Sequence, residues 1–461
     1  MKKIRVIAII LILACALSLT ACGQGTSATV PSPAESSAGN TDAQAKDPAT
    51  PAPDKEVTLS FMGWEASPLE TESVKQGIAA FQEQYPHIKV EYTPGLAGAE
   101  YSAKLLTMFA GNAAPDVFFC GDSDYRTFAS KGVLYDITDK FDATFPVDDF
   151  IDSSKTIMNI DGKYFGISSC TVSPILYYNK AIFDKAGIAY PSSDPDEAMT
   201  WEEYRALSLQ LTIKNGDKTE QYGTYGLESW LMTPMLYSNN ASLFDKDFTK
   251  TTVNTPEAAE VFDAIRDLRI VDGSAPDATT LENIGMSAAQ MLQTGKVATL
   301  VDGSWALQQL ATLDFEVGMA PLPKFDNALT TGSAHLHSIW ADTPHPDETW
   351  EFLKFLMSPE SQLFWHQKTG YFPVSKATYD LPAFHAHIAR NPLFKVAIDQ
   401  LHDSDPRIQS VWWPNSYQAY YEIQNGILEM LEKHVPTEET VRNLAAVLNR
   451  FMDEYNRMNK E

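Results

Sequence analysis

Two hydrophobic periods alternate along the chain after residue 56. Alternating or short, wholly apolar segments are typical of strands, and apolar residues three or four positions apart are typical of helices. The predicted strands are Val57 to Met62, Ile88 to Tyr92, Pro115 to Cys120, Tyr164 to Ile167 and Ile175 to Tyr178. The predicted helices are Thr71 to Gln84, Glu100 to Ala110, Pro256 to Val271 and Pro346 to Met357. This alternation predicts an α/β fold.

One helix start can be predicted from its capping residues. Thr200 is followed three positions later by Glu203, the spacing of a capping box, in which each side chain satisfies the other residue's backbone N–H. The sequence therefore predicts that a helix begins directly after Thr200.

The first residues have the pattern of a secretion signal. Lys2, Lys3 and Arg5 precede an apolar run from Val6 to Ala16, which is too short to span a bilayer. The following Leu19-Thr20-Ala21-Cys22 resembles the bacterial lipobox, which implies lipid on Cys22 and cleavage of residues 1–21. The alternative is an ordinary secretory cleavage site in which Cys22 has no role.

A segment poor in large apolar residues follows, from Gly23 to Lys55. Its Ser, Thr, Ala and Pro residues cannot bury enough surface to offset the entropy of folding, so residues 22–55 are predicted to be a disordered tether. A flexible chain of this length has a root-mean-square reach on the order of 30 Å. The remaining length favours two domains over one.

The charge is strongly acidic. Loss of residues 1–21 removes three basic residues, so the 35 Lys and Arg become 32 against 60 Asp and Glu, a formal charge of −28. Nucleic acid is therefore excluded as a partner class, and an acidic surface favours solubility. Of the four cysteines, only Cys120 and Cys170 remain in the predicted folded part. They are either two buried thiols or one disulfide bridge.

Histidine pairs raise the question of a metal site or an enzyme. His335 and His337, like His385 and His387, are two positions apart, but no cysteine or acidic partner follows at zinc-site spacing. Sequence motifs of serine hydrolases, zinc proteases and phosphate-binding loops are also missing. We therefore expect no metal, no cofactor and no catalysis. The alternative, a glycan-degrading enzyme with paired carboxylates, is less favoured.

Many short segments together resemble one family along the whole mature chain: the extracellular solute-binding proteins of the carbohydrate-binding family that serve ABC importers. The similar segments are Phe81 to Glu91, Ala113 to Phe119, Gly132 to Thr138, Asp161 to Ile167, Tyr178 to Lys180, Thr200 to Tyr204, Gly295 to Trp305, Glu348 to Leu356, Gly370 to Val374, Asp405 to Ile408 and Thr437 to Met452. Each segment alone is weak, but their shared order is specific.

The resemblance implies a two-lobed fold of the type II periplasmic-binding-protein class, with discontinuous lobes joined by hinge crossings. The N-terminal lobe is expected to hold 57–170 and 303–345, and the C-terminal lobe 171–302 and 346–461. Crossings are then expected near Cys170 and Asp302. Ligand in the cleft between the lobes would close them.

A sugar has apolar faces that stack on aromatic rings and hydroxyls that bond to carboxylates and amides. The family's Gly-x-Trp, whose ring stacks on ligand, corresponds to Gly303 and Trp305. The resemblance therefore implies Trp305 as a stacking residue with Ser304 beside it. Core packing is the alternative for any tryptophan.

Other candidates follow strand ends, where α/β sheets present ligands to loops. Trp64 and Glu65 follow the first strand, and Asp122, Asp124 and Tyr125 follow the strand that ends at Cys120. The two aspartates either bind hydroxyls or begin a helix. Maltodextrin binders carry an Asp-Arg pair in this loop, whereas the position aligned to that arginine is Asp124, so their sugar identity does not carry over. The remaining aromatic candidates are Trp230, Trp340, Tyr371 and Trp412.

These features predict a monomeric, non-enzymatic protein held by lipid on the extracellular face of the bacterial membrane. It would capture a mono- or oligosaccharide and deliver it to the permease subunits of an ABC importer. The main alternative keeps the fold but assigns a sensory role or a non-sugar solute.

Overall fold

The structure, a computed structural model, describes residues 55–65, 67–95, 99–228, 230–245, 249–310, 312–403 and 417–458. Its strands are β1 Val57–Trp64, β2 Ile88–Gly95, β3 Val117–Gly121, β4 Asn159–Ile160, β5 Lys163–Tyr164, β6 Gly166–Val172, β7 Pro174–Asn179, β8 Ile213–Asn215, β9 Lys218–Gln221, β10 Thr299–Gly303, β11 Val317–Ala320 and β12 Ser333–Ile339.

Helices outnumber strands in the part of the chain that the structure describes. They are α1 Pro68–Gln84, α2 Ala99–Ala110, α3 Asp122–Ser130, α4 Asp152–Met158, α5 Lys180–Ala186, α6 Trp201–Leu211, α7 Thr233–Ser238, α8 Pro256–Ile270, α9 Ala278–Ile284, α10 Ala288–Gln293, α11 Ala306–Leu310, α12 Pro346–Leu356, α13 Pro359–Thr369, α14 Lys376–Tyr379, α15 Pro382–Arg390, α16 Pro392–Asp403, α17 Tyr417–Glu432 and α18 Thr437–Met458.

The first sheet has the strand order β2-β1-β3-β12-β6. Strand β1 runs parallel to β2 and β3, whereas β12 runs antiparallel to both β3 and β6. The ends of β1, β3 and β6 therefore meet the start of β12 at one edge of the sheet. This edge is where loops can present side chains to a ligand.

A second sheet begins where the first ends. Strand β6 stops at Val172, and β7 starts at Pro174 in a three-stranded antiparallel sheet of order β10-β7-β11. Gly303 at the end of β10 pairs with Pro174. The chain thus crosses from the first lobe to the second beside the end of β10.

Sheet pairing and packing set lobe boundaries that differ from those expected from the sequence. Because β7 pairs with both β10 and β11, residues 303–320 belong to the second sheet, and the chain returns to the first only at β12. Helix α12 buries Trp350, Phe352 and Leu353 in the apolar cluster of the first sheet. The segment after residue 346 therefore begins in the first lobe, where the sequence analysis expected the second.

Each lobe is stabilised by its own apolar core. One cluster packs the first sheet against α1 and α12, and two further clusters surround the second sheet. All of these clusters lie within the compact unit Asp54–Glu461. Burial of apolar surface is the main driving force of such packing.

Several local predictions are confirmed. Helix α6 begins after Thr200 with both hydrogen bonds of the capping box. Helix α1 begins three residues before the predicted Thr71, at Pro68, because the Ser67 hydroxyl accepts a hydrogen bond from Glu70 N–H and caps it. Strand β12 was not predicted. Its two histidines interrupt the apolar residues, and the remaining apolar pattern is too short to predict a strand.

Cys120 and Cys170 are both buried free thiols. Burial raises the pKa of the Cys170 thiol to about 12, so it stays protonated. Within the described ranges, no helix combines the length and apolarity needed to cross a membrane. Cys22 and the rest of the predicted tether up to residue 54 lie outside the described residues.

Candidate functional site

The candidate site lies at the edge of the first sheet where the chain crosses to the second lobe. Trp64 ends β1, Asp122 follows β3, and His335 lies near the start of β12, opposite Gly121. Strand β6 brings Cys170 to the same edge, because Cys170 pairs with His335. The carboxyl ends of parallel strands and the amino end of β12 therefore meet here.

Three aromatic side chains form a row along this edge. The half-buried Trp64 ring contacts the His335 ring edge-on at a centroid distance of 4.7 Å. His335 in turn contacts Tyr371 at 5.1 Å, also edge-on. Burial lowers the pKa of His335 to about 4, so its imidazole is neutral at pH 7. The row is therefore apolar in character and carries no cation.

Glu70 is a site residue that the sequence analysis missed. It lies in the first turn of α1, is fully buried, and its carboxylate bonds to the Tyr371 hydroxyl. Burial and this carboxylate raise the pKa of Tyr371 well above its usual range, so the hydroxyl remains a donor. An acidic residue in the first turn of a helix, here after Ser67 and Pro68, is commonly explained by its favourable interaction with the helix N-terminus. No sequence pattern therefore indicated that Glu70 also bonds to Tyr371.

A hydrogen bond joins the two lobes at this point. The Ser67 hydroxyl donates to Gln308 Oε1 at 3.1 Å, and Gln308 also bonds to the Tyr371 hydroxyl. Ser67 caps α1 in the first lobe, whereas Gln308 belongs to α11, which follows β10 of the second sheet. Ser67, Glu70, Gln308 and Tyr371 thus form a polar link across the cleft.

Trp305 packs against apolar clusters of both lobes. It contacts the two clusters of the second sheet and the small cluster of Cys170, Val172 and Tyr371. Its indole bonds to the Asp302 carboxylate, which also accepts a hydrogen bond from Gly303 N–H at 2.7 Å. Burial raises the pKa of Asp302 to about 6, although these hydrogen bonds oppose the rise.

Ser304 fixes the loop that carries Trp305. It is fully buried, its N–H donates to Ser173 O at 2.8 Å, and its hydroxyl accepts from Ser173 N–H at 3.4 Å. Ser173 is the single residue between the strands that cross from one lobe to the other. Trp305 is therefore anchored directly to a hinge crossing.

The structure places the acidic candidates in different surroundings. Glu65 is exposed beyond β1, and the half-buried Asp122 accepts a hydrogen bond from Ala334 N–H at 3.3 Å. Asp124 is buried and accepts from the Ser102 hydroxyl. Helix α3 begins at Asp122 with Gly121 as its cap, and neither aspartate caps it.

Tyr125 is a core residue in the structure. It is 1% exposed, donates to Met158 O and accepts from Phe165 N–H, both at 2.8 Å. Both hydrogen-bonding functions of its hydroxyl are engaged within the first lobe. The geometry therefore favours packing over ligand contact for Tyr125.

Trp340 is separated from the other candidates by the length of β12. It follows Ile339, which pairs with Val117 at the start of β3, so it lies at the opposite edge of the sheet. Its ring is buried in the first apolar cluster. Trp230 begins a short 3-10 helix, Trp230–Met232, and Trp412 lies outside the described residues.

Metal binding has no support at this edge. Across the part of the chain that the structure describes, no group of three or more His, Cys, Asp or Glu is arranged to hold a metal ion. His335 and His337 share a face of β12, but each packs against aromatic rings.

The sequence model of the bacterial extracellular solute-binding proteins matches residues 67–363, which includes every described strand except β1, and the site residues Glu70, Trp305, Gln308 and His335. The chain belongs to this family. Membership confirms the expectation of a binding protein rather than an enzyme.

Relatives of this solute-binding protein are named after different ligands. The chain is 28% identical over 357 residues to the sn-glycerol-3-phosphate-binding periplasmic protein UgpB of Shigella flexneri, and the match covers 73% of this chain and 72% of that protein. An ABC substrate-binding protein of Listeria monocytogenes, solved with cycloalternan, has a TM-score of 0.76 and 21% identity, covering 87% of this chain and 100% of that one.

A further solved structure is that of UgpB from Mycobacterium tuberculosis in complex with glycerophosphocholine. Its TM-score is 0.74 at 23% identity, covering 86% of this chain and 98% of that one. These likenesses confirm the two-lobed type II fold of this solute-binding protein.

Proposed function

We propose that this solute-binding protein captures a neutral carbohydrate, a mono- or oligosaccharide, between its two lobes and delivers it to an ABC importer. The observation that carries the proposal is the convergence at the hinge crossing of aromatic rings from both lobes with carboxylates and the Gln308 amide. Trp64 and Tyr371 come from the first lobe, and Trp305 comes from the second. Such a combination fits the apolar faces and the hydroxyl rim of a sugar.

In this proposal Trp305 and Trp64 stack on the ligand, with Tyr371 beside them. Glu65 and Asp122 bond to its hydroxyls, and Ser304 fixes the Trp305 loop against Ser173. Trp230 and Trp412 remain candidates from the sequence. Asp124 and Tyr125 are left out because they are buried and bonded within the first lobe, and Trp340 because it is buried at the opposite edge of the sheet.

The second candidate ligand is a glycerol phosphate or a glycerophosphodiester, as the names of two relatives indicate for those proteins. A phosphate in a closed cleft needs a positive partner. Among the described residues that we assign to the site, the charges are carboxylates, and His335 is neutral. This charge balance favours a neutral polyol over an anion.

A binding screen of the unit Asp54–Glu461 separates the two candidates. Thermal shift and calorimetry should detect a mono- or oligosaccharide, because a ligand that binds only the folded state raises its melting temperature. sn-Glycerol-3-phosphate and glycerophosphocholine should give no shift at the same millimolar concentrations. A rise in melting temperature with the two phosphate compounds alone would favour the second candidate ligand over a sugar.

Substitution of Trp305 then tests the site itself. Trp305→Ala should weaken binding of the identified ligand about fivefold or more, since a buried aromatic contact contributes on the order of 1–4 kcal/mol. Trp305→Phe should retain part of the affinity because it keeps an aromatic face. Unchanged affinity in Trp305→Ala would mean that the ligand binds elsewhere.

The proposal includes a lipid anchor at Cys22 and delivery to permease subunits at the extracellular face of the membrane. An anchor keeps a monomeric carrier close to its importer without a membrane-spanning helix. A sensory role with the same fold would predict binding without uptake. Uptake of the identified sugar by cells with and without this protein distinguishes transport from sensing.

A further inference from the structure

A cavity of about 710 Å³ lies in the first lobe, apart from the cleft, and opens to solvent beside the exposed Ala80 and Gln84. Its walls are the face of the first sheet at Phe61, Phe119 and His337, together with α1, α12 and α13. None of its lining residues belongs to the second sheet, and neither Trp64, Trp305 nor Tyr371 lines it. Its size lies in the range of sites for drug-sized molecules.

Small residues on α1 create this space. Ser73, Gly77 and Ala80 are spaced four and three positions apart, so they share one face of the helix, and all three line the cavity. A Cβ atom at Gly77 would have no neighbour closer than Leu356 Cδ2 at 4.0 Å. The cavity is therefore open where a larger residue on α1 would have filled it.

His337 gives the cavity a polar end. Its side chain is buried, with 5% exposure, and its buried Nδ1 has no hydrogen-bond partner among the described residues. The imidazole packs between Phe61 and Phe119, at centroid distances of 5.7 and 4.7 Å. Burial lowers its pKa to about 3, so the ring is neutral at pH 7 and offers one donor and one acceptor.

An unpartnered buried polar group costs about 1–3 kcal/mol, and a molecule in the cavity can recover this cost. A second such group is Trp365, which lines the same cavity and has a buried indole N–H without a partner among the described residues. Of the charged side chains that line the cavity, Glu351 and Lys354 pair with each other at 2.7 Å and are partly exposed, and Glu360 is exposed. The buried end is thus polar but uncharged.

We propose that this cavity is a second binding site, which takes a neutral molecule with an aromatic or aliphatic body and one hydroxyl group bonded to His337. A charged ligand is disfavoured because it would lose hydration without an opposite charge at the buried end. The ligand body lies against Phe61, Phe119 and the small residues of α1. This site is independent of the sugar proposed for the cleft.

The test uses 1-naphthol and 1-methoxynaphthalene with the unit Asp54–Glu461. In 1-methoxynaphthalene a methyl group replaces the hydroxyl hydrogen, so this probe cannot donate to His337, and a hydrogen bond there predicts that 1-naphthol binds about tenfold more tightly in calorimetry. His337→Phe keeps a ring between Phe61 and Phe119, and it should abolish the preference for 1-naphthol. A tenfold preference that survives in His337→Phe overturns the assigned polar contact.

Gly77→Leu tests the cavity without touching its polar end. Leucine fills the space beside α1 and is a better helix former than glycine, so the variant should fold. It should abolish binding of both probes while leaving cleft-ligand affinity unchanged, whereas Gly77→Ala should still bind them. Unchanged binding in Gly77→Leu, or no binding of 1-naphthol to the wild type at millimolar concentration, overturns the proposal.

Discussion

The indole of Trp305 lies over the backbone of Gly303, where a Cβ atom would stand 2.1 Å from two of the ring carbons. No side chain fits at that distance, so glycine at position 303 allows the ring to fold back onto β10. The indole also bonds to Asp302. Two residues next to each other in β10 therefore set the position of the ring proposed to stack on the ligand.

Gly303→Ala should displace the Trp305 ring and weaken ligand binding about tenfold or more. The added methyl group overlaps the indole, so the free energy of unfolding should also fall, by about 1–3 kcal/mol. Calorimetry and urea unfolding measure the two effects. Gly77→Ala is the matched control, because the same methyl group there has its nearest neighbour at 4.0 Å. Wild-type affinity in Gly303→Ala would contradict the assigned role of the ring.

Gln308→Ala should change ligand affinity through the link between the lobes. Gln308 accepts a hydrogen bond from Ser67 and bonds to Tyr371, so its loss removes contacts that are made across the cleft. The expected change is about threefold to tenfold, the size of one or two hydrogen bonds. Surface plasmon resonance measures this change in the affinity and in the dissociation rate.

Gln309→Ala is the control for this variant. Gln309 is the next residue on α11, but its amide donates to the exposed Ser287 hydroxyl at 3.0 Å, away from the cleft. Equal effects of the two substitutions would show that α11 acts through stability alone. A circular dichroism melt of both variants tests that directly.

The sequence predicted a minority of the described elements and part of the candidate site. Strands β1, β2 and β7 and helices α8 and α12 follow clear periods, because each has one buried face or is buried throughout. The hinge position of Trp305 followed from resemblance. Its contact with both lobes depends on the pairing of Gly303 with Pro174. These two residues are far apart in the sequence, so no local pattern predicts their pairing.

The parts that could not be predicted depend on long-range contacts. Strand β12 pairs antiparallel inside a sheet that is otherwise built on parallel strands, and its histidines pack against rings from β1 and β3. Glu70 is 301 positions before its partner Tyr371, as their numbers show. Trp340 looked equivalent to Trp64 by residue type, and only the direction of β12 separates them.

Acid should destabilise the fold through its buried histidines. Burial lowers the folded-state pKa of His335 and His366 to about 4 and of His337 to about 3, from 6.5. Each contribution to stability is present above pH 6.5 and is lost as the pH falls toward the folded-state value. His337→Phe removes one of these contributions. The free energy of unfolding should therefore fall less steeply between about pH 6 and pH 4, by about 1.4 kcal/mol per pH unit.

Asp302 should act in the opposite direction. Its folded-state pKa is raised from 3.8 to about 6, so its contribution is present below pH 3.8 and is lost as the pH rises through 6. In acid this contribution raises the free energy of unfolding. Asp302→Asn removes it, so the free energy of unfolding should fall more steeply between pH 6 and pH 4. Urea unfolding at several pH values measures both variants. A change of the same sign in both would contradict this assignment.

Cys22→Ala should release the protein from the membrane. Without the thiol no thioether to lipid can form, so the protein should move from the membrane fraction to the medium or the soluble fraction. Cys15→Ala is the control, because Cys15 precedes the predicted cleavage site and would leave with the signal. Immunoblots of fractionated cells, with labelling by a palmitate analogue, measure both. Membrane retention of Cys22→Ala together with labelling would place the lipid on another residue, whereas retention without labelling would point to a signal that is not cleaved.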